Sequence, residues 1–142
     1  MLVKDLMRTP VITIAPDAGL DRALVMMRSQ RVRHLPVVEN GALVGILTDR
    51  DLRLSMIEME GPQNAPKGLY LPALTQVRSA MKSSVFIVLP EDTVAYAAKL
   101  MSTNKVGGLP VLEKKGSHMV IGILTETDML KLLSKLLTEK IF

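Results

Sequence analysis

The chain repeats itself, and this limits what it can fold into more than any other feature. Residues from Val3 realign with residues from Val77 at an offset of 74. Val3/Val77, Met7/Met81, Val11/Val85, Pro16/Pro90, Ala23/Ala97, Met27/Met101 and Val32/Val106 match, then Leu35/Leu109, Pro36/Pro110, Val37/Val111 and Glu39/Glu113. A three-residue insertion in the second copy moves the offset to 77. Beyond it Gly45/Gly122, Ile46/Ile123, Leu47/Leu124, Thr48/Thr125 and Asp51/Asp128 match. Sixteen identities thus fall within the 50 positions from Val3 to Leu52. The chain is one supersecondary unit made twice. A half of roughly 50–60 residues is marginal alone, so the two are expected to pack as a pseudo-twofold pair. The boundaries read as repeat 1 over 1–60, a linker over 61–74, and repeat 2 with a C-terminal helix over 75–142. Gly61-Pro62-Gln63-Asn64-Ala65-Pro66-Lys67-Gly68 is dense in turn formers and marks that linker.

Period and breakers give an α/β (α+β) class with the order β-α-β-β-α in each copy. Val11–Ile14 is a short β-branched run ended by Pro16, which predicts a strand. Asp17 or Asp21 is positioned to cap a helix through Gln30, with Leu20, Ala23, Leu24 and Met27 on one face. Leu35–Val38 and Ala42–Leu47 flank Asn40-Gly41, a strong hairpin signal. A second helix is expected from Asp51 to about Glu60. The second copy repeats the order with Val85–Leu89, Thr93–Asn104, Leu109–Leu112, Met119–Leu124 and Glu126–Leu137.

Composition removes several function classes. An apolar content of 48% with a net charge of only +4 excludes intrinsic disorder. The absence of cysteine excludes a disulfide scaffold, thiol catalysis and thiolate metal sites, and agrees with a reducing cytoplasm. Two histidines, His34 and His118, are too few for an imidazole-based metal centre. Two tyrosines, two phenylalanines and no tryptophan make a poor stacking platform for single-stranded nucleic acid. The N-terminus has no long apolar run, and no stretch is long enough to span a bilayer. Residues 129–137 alternate at helical spacing and read as a docking or dimer-packing helix rather than a membrane-surface one. Phosphate-loop, dinucleotide, metalloprotease and nucleophile-elbow motifs are all missing, so no catalytic residue is assigned.

The best-preserved block is Gly45-Ile46-Leu47-Thr48-Asp49-Arg50-Asp51, echoed as Gly122-Ile123-Leu124-Thr125-Glu126-Thr127-Asp128. A hydroxyl followed three residues later by a carboxylate caps a helix: the oxygens satisfy orphan N–H groups and the negative charge suits the helix start. The same geometry can hold a phosphate on backbone N–H groups and a ribose diol on the carboxylate. Thr and Asp persist in both copies while the residues between them change.

With its Gly-x-x-Thr-x-x-Asp ending each repeat and its Leu-Pro-Val strand in each, the chain resembles a tandem pair of cystathionine-β-synthase (CBS) domains, or Bateman module, over roughly residues 1–137. It is similar to small stand-alone CBS-pair proteins, acetoin-utilisation B proteins among them. The resemblance implies a non-catalytic regulatory module that senses AMP, ADP, ATP or S-adenosylmethionine (with Mg²⁺ accompanying ATP) and signals by changing its packing. It implies one site of Thr125 and Asp128 with Val11, Ile12 and Val32, and another of Thr48 and Asp51 with Val85, Phe86 and Val106. It also implies a homodimer and a regulated enzyme or transporter as partner. Degenerate clefts on a structural dimerisation scaffold are the alternative. Arg33-His34 in the first copy is Gly107-Gly108 in the second. The first pair suits phosphate recognition and the second close backbone approach, so two unequal sites are expected.

Overall fold

The computed structural model describes residues 1–58 and 70–140. The linker expected at Gly61–Gly68 therefore lies outside the described residues. The chain divides into two compact units, one of residues 12–85 and the other of residues 1–11 with 86–142. Each unit combines the opening segment of one repeat with the body of the other. The opening segment of each repeat packs with the other repeat. Val3, fully buried, belongs to a core with Val88, Ala97, Met101, Leu109, Val111 and Leu124. Val77, equally buried, joins Ile14, Leu20, Ala23, Met27, Leu35, Val37, Leu47 and Leu52. Burying one valine in this way is worth about 1.5–3 kcal/mol, which gives each opening segment a reason to stay in its adopted core.

In residues 12–85, helix α2 (Leu20–Gln30) precedes a hairpin of β1 (His34–Glu39) and β2 (Ala42–Thr48), then α3 (Asp49–Glu58) and the short α4 (Tyr70–Leu74). The other unit opens with α1 (Val3–Leu6) and continues with α5 (Val94–Asn104), β3 (Gly108–Leu112), β4 (Val120–Thr125) and α6 (Glu126–Lys140). Asn40 and Gly41 at the first hairpin both take positive φ (52° and 80°), as a two-residue turn of this hand requires. α3 begins two residues earlier than expected, because Thr48 serves as its N-cap: Thr48 Oγ1 accepts from the Asp51 N–H at 3.1 Å, which makes Asp49 the first helical residue. Neither Asp17 nor Asp21 caps α2: its N-cap is Gly19, without a side-chain bond. In the second copy Thr93 does cap α5, accepting from the Tyr96 N–H.

The strands expected at Val11–Ile14 and Val85–Leu89 are reduced to single parallel bridges, Ile14 to Val37 and Val88 to Val111. Prolines explain both. The Ile14 N–H donates to the Pro36 carbonyl and the Val38 N–H to the Ile14 carbonyl. Extending this ladder would need N–H donors at residue 36 in one direction and residue 16 in the other. Both positions are proline, which has none. Pro110 and Pro90 stop the second ladder in the same way, where the Val88 N–H donates to the Pro110 carbonyl and the Leu112 N–H to the Val88 carbonyl.

The opposite sheet edge is closed by the opening segments. Ile46 and Lys82 exchange two backbone hydrogen bonds of 2.9 Å, and Ile123 and Arg8 do so at 2.9 and 3.2 Å. This approach is why the preserved block starts with glycine. A Cβ on Gly45 would lie 2.6 Å from Met81 Sδ and 2.8 Å from the Lys82 carbonyl oxygen; on Gly122 it would lie 2.9 Å from Met7 Sδ and 3.0 Å from the Arg8 oxygen.

Candidate functional site

Each Thr-x-x-Asp turn joins the last strand of a hairpin to the helix that follows. At the second, the Thr125 N–H and hydroxyl both donate to Asp128 Oδ2, at 2.9 and 3.0 Å, and the Asp128 N–H donates to Thr125 Oγ1 at 3.4 Å. At the first, the Asp51 N–H donates to Thr48 Oγ1 at 3.1 Å and the Thr48 N–H to Asp51 Oδ2 at 3.4 Å. Both are reciprocal caps. Capping therefore accounts for one carboxylate oxygen in each copy.

The other oxygen faces a cation that the sequence reading did not single out. Arg8 Nε donates to Asp128 Oδ1 at 2.9 Å, and Lys82 Nζ stands 3.6 Å from Asp51 Oδ1. Arg8 and Lys82 occupy the same repeat position, 74 residues apart. Each comes from the opening segment that closes the sheet edge, so the backbone pairing at Ile123 or Ile46 sets the cation beside the carboxylate. A retained positive charge at an aligned position was the available signal. The two aspartates are almost equally shielded, with side-chain exposures of 8% for Asp128 and 11% for Asp51.

The loop before each hairpin lies against its own turn. His34 pairs with Thr48 across β1 and β2, so Arg33-His34 and Thr48–Asp51 come together. Gly108 pairs with Thr125, and the Gly107 carbonyl accepts from the Glu126 N–H at 2.9 Å, so Gly107-Gly108 meets Thr125–Asp128. Ile12 and Val32 are half-buried against the core of residues 12–85, and Val106 against that of the other unit. Val11 and Val85 are half-buried, while Phe86 is exposed. In residues 12–85 a cleft of about 690 Å³ opens beside Val32 and Arg33, lined also by residues of α2 and α3. Among the described residues, no group of three or more His, Cys, Asp or Glu side chains is placed to hold a metal ion. None of the described helices is long and apolar enough to cross a membrane.

The family model for the CBS domain matches residues 3–58 and again 77–135. The chain belongs to the CBS-domain family. Among its relatives, a CBS domain-containing protein of Dictyostelium discoideum is 44% identical over 138 residues, covering 96% of this chain and 94% of that one. A homoserine O-acetyltransferase of Methanococcoides burtonii is 32% identical over 92% of this chain, which spans only 24% of the enzyme. Among solved structures, the CBS domain pair of protein MJ0100 in complex with 5′-methylthioadenosine and S-adenosyl-L-methionine is 26% identical. It matches with a TM-score of 0.80 over 95% of this chain and 97% of its own. A putative acetoin utilization protein (AcuB) of Vibrio cholerae is 28% identical, with a TM-score of 0.79, over 99% of this chain and 95% of its own. CBSX2 in complex with AMP is 27% identical, with a TM-score of 0.73, over 95% and 97%. The CBS pair thus accounts for the paired hairpins, the preserved turns and the mixed helix–strand architecture.

Proposed function

We propose that this CBS pair is a regulatory module that binds an adenosine-containing small molecule, AMP, ADP, ATP or S-adenosylmethionine, without catalysing a reaction on it. The observation that carries the reading is the shared construction of the two turns. In each, the cap holds one carboxylate oxygen, and among the described residues the other meets an exposed cation, Arg8 or Lys82. A ribose diol can take that second oxygen while the cation turns into water, and the helix start keeps the carboxylate ionised for it. The solved relatives with AMP and with S-adenosylmethionine support the ligand class. Arg33 and His34 are assigned to phosphate at the first turn; Gly107 and Gly108 let backbone approach the ligand at the second.

Signalling follows from the same contacts. Arg8 and Lys82 sit on the segments that close the sheet edges, so a ligand that displaces them favours a different packing of those segments. A ligand shifts such an equilibrium only by its difference in affinity for the two arrangements. The regulated partner is proposed to be an enzyme or transporter, and the working form a homodimer in the cytoplasm. The exposed Leu130, Leu133, Leu136 and Leu137 on α6 also favour a second reading, a dimerisation scaffold without a ligand.

Thermal denaturation with each compound separates the two. A ligand at 100 times its Kd adds about 2.7 kcal/mol to stability and raises Tm. Asp51→Asn with Asp128→Asn, which keeps an acceptor for each cap, removes the rise. If no adenosine compound raises Tm, the scaffold reading replaces this one.

A further inference from the structure

Arg8 and Lys82 are tethered alike. The Arg8 backbone exchanges hydrogen bonds with Ile123, and the Lys82 backbone with Ile46. Each cation therefore reaches its carboxylate from a fixed point, and only its side chain is free to yield. The group at the end of that side chain differs. Arg8 Nε donates to Asp128 Oδ1 at 2.9 Å, from a side chain that is 43% exposed. Lys82 Nζ stands 3.6 Å from Asp51 Oδ1, beyond ordinary hydrogen-bond length, on a side chain that is 64% exposed.

The contrast matters because the cap has already taken Oδ2 of each aspartate. Oδ1 is the oxygen left for a ligand, and at Asp128 a guanidinium already donates to it. A donor tethered beside its acceptor competes at high effective concentration. A hydroxyl arriving from solution binds well only in the fraction of molecules whose guanidinium has moved away, and its apparent affinity falls by that fraction. A planar, weakly hydrated guanidinium keeps such a bond better than a strongly hydrated ammonium does. The fold itself does not require the short bond. Lys82 occupies the same repeat position, on a sheet edge closed in the same way, with the looser contact.

We propose that Arg8 is an internal competitor that latches the second turn against its own ligand. The residue at position 8 then sets how much ligand the second turn needs, and the residue at position 82 does the same for the first. The lysine leaves the first turn nearly unlatched. This inference rests on ribose capture by the aspartates and adds what opposes it. It also reverses the sign expected of a cation beside a nucleotide site: removing Arg8 strengthens binding.

A reciprocal exchange tests the latch, turn by turn, in the full chain. The capped amides serve as reporters, with Thr48 and Asp51 for the first turn and Thr125 and Asp128 for the second. AMP is titrated while their ¹⁵N–¹H signals are followed. Arg8→Lys, which keeps the charge and the backbone pairing, should tighten binding at the second turn on the order of tenfold. It should leave the first turn unchanged. Lys82→Arg should weaken the first turn by a similar factor and leave the second unchanged. Arg8→Gln should tighten the second turn at least as much as Arg8→Lys does. Unchanged or weaker binding at the second turn in both Arg8 variants would overturn the latch while leaving ribose capture standing. So would equal changes at the two turns. No saturable shift at either turn in any of these chains would overturn ribose capture, and the latch with it.

Discussion

The two Thr-x-x-Asp turns have the same sequence pattern and the same caps, yet their aspartates are held to different degrees. Asp128 takes a 2.9 Å hydrogen bond from a guanidinium, whereas Asp51 faces an ammonium at 3.6 Å. The loops beside them diverge further, to Arg33-His34 and Gly107-Gly108. Duplication preserved the backbone scheme, in which an opening segment closes the sheet edge and aims a cation at the carboxylate. It left the strength of that contact and the surrounding charge free to change. The first turn holds its aspartate by the longer contact and has Arg33-His34 beside it; the second holds its aspartate by a guanidinium hydrogen bond and has Gly107-Gly108 beside it.

Mutations can break this comparison at several levels. The largest effects belong to the cores, where the units should behave alike. Leu47→Ala and Leu124→Ala each remove a fully buried side chain and should each cost about 2–5 kcal/mol in chemical denaturation. A difference well beyond that spread would mean that the two cores are not equivalent. Next come the glycines. Gly45→Ala forces a methyl against a backbone oxygen at 2.8 Å and Gly122→Ala at 3.0 Å. Overpacking of about 1–3 kcal/mol is expected, with Gly45→Ala the worse; the reverse order in thermal melts would contradict the edge geometry.

The cations follow. Arg8→Ala leaves the well-shielded Asp128 without its guanidinium and should cost about 1–3 kcal/mol. Lys82→Ala breaks a longer, more exposed contact and should cost under about 1 kcal/mol. Equal losses would erase the difference between the turns. The smallest effect is that of Lys4 and Glu91, an exposed pair at 3.0 Å in the unit of residues 1–11 and 86–142. Its hydrogen bond and then its charge attraction to Glu91 raise the Lys4 pKa above the ordinary 10.5. The raised value means a contribution present below pH 10.5 and lost as pH rises through the folded-state pKa. Lys4→Gln should flatten that alkaline loss slightly and leave Tm at neutral pH almost unchanged.

Much of this organisation is legible in the residues. The repeat, both hairpins, all four long helices and the capping turns follow from spacing, Asn-Gly and the Thr-x-x-Asp pattern. The first strands were harder to place, because Val11–Ile14 has strand composition while the donors that would extend its ladder are missing at Pro16 and at Pro36, 22 positions beyond Ile14. Local preference cannot report a missing partner on another segment. The adoption of Val3 and Val77 by opposite cores is invisible for a related reason: aligned repeats carry the same valine whichever core it enters. Arg8 and Lys82 escaped notice because exposed cations are common, and only the sheet-edge pairing brings them to a carboxylate.

Ribose capture is the central claim, and removal of a single hydroxyl tests it most directly. Calorimetric titration should compare AMP with its 2′-deoxy analogue on the unaltered chain and on the chain with Asp51→Asn and Asp128→Asn. A carboxylate accepting both ribose hydroxyls predicts at least about a tenfold weaker affinity for the deoxy compound, from the loss of one charge-assisted hydrogen bond. In the double variant that gap should close, with AMP falling to the level of its analogue. Equal affinities of the unaltered chain for the two compounds, or a gap that survives the double variant, would contradict the account.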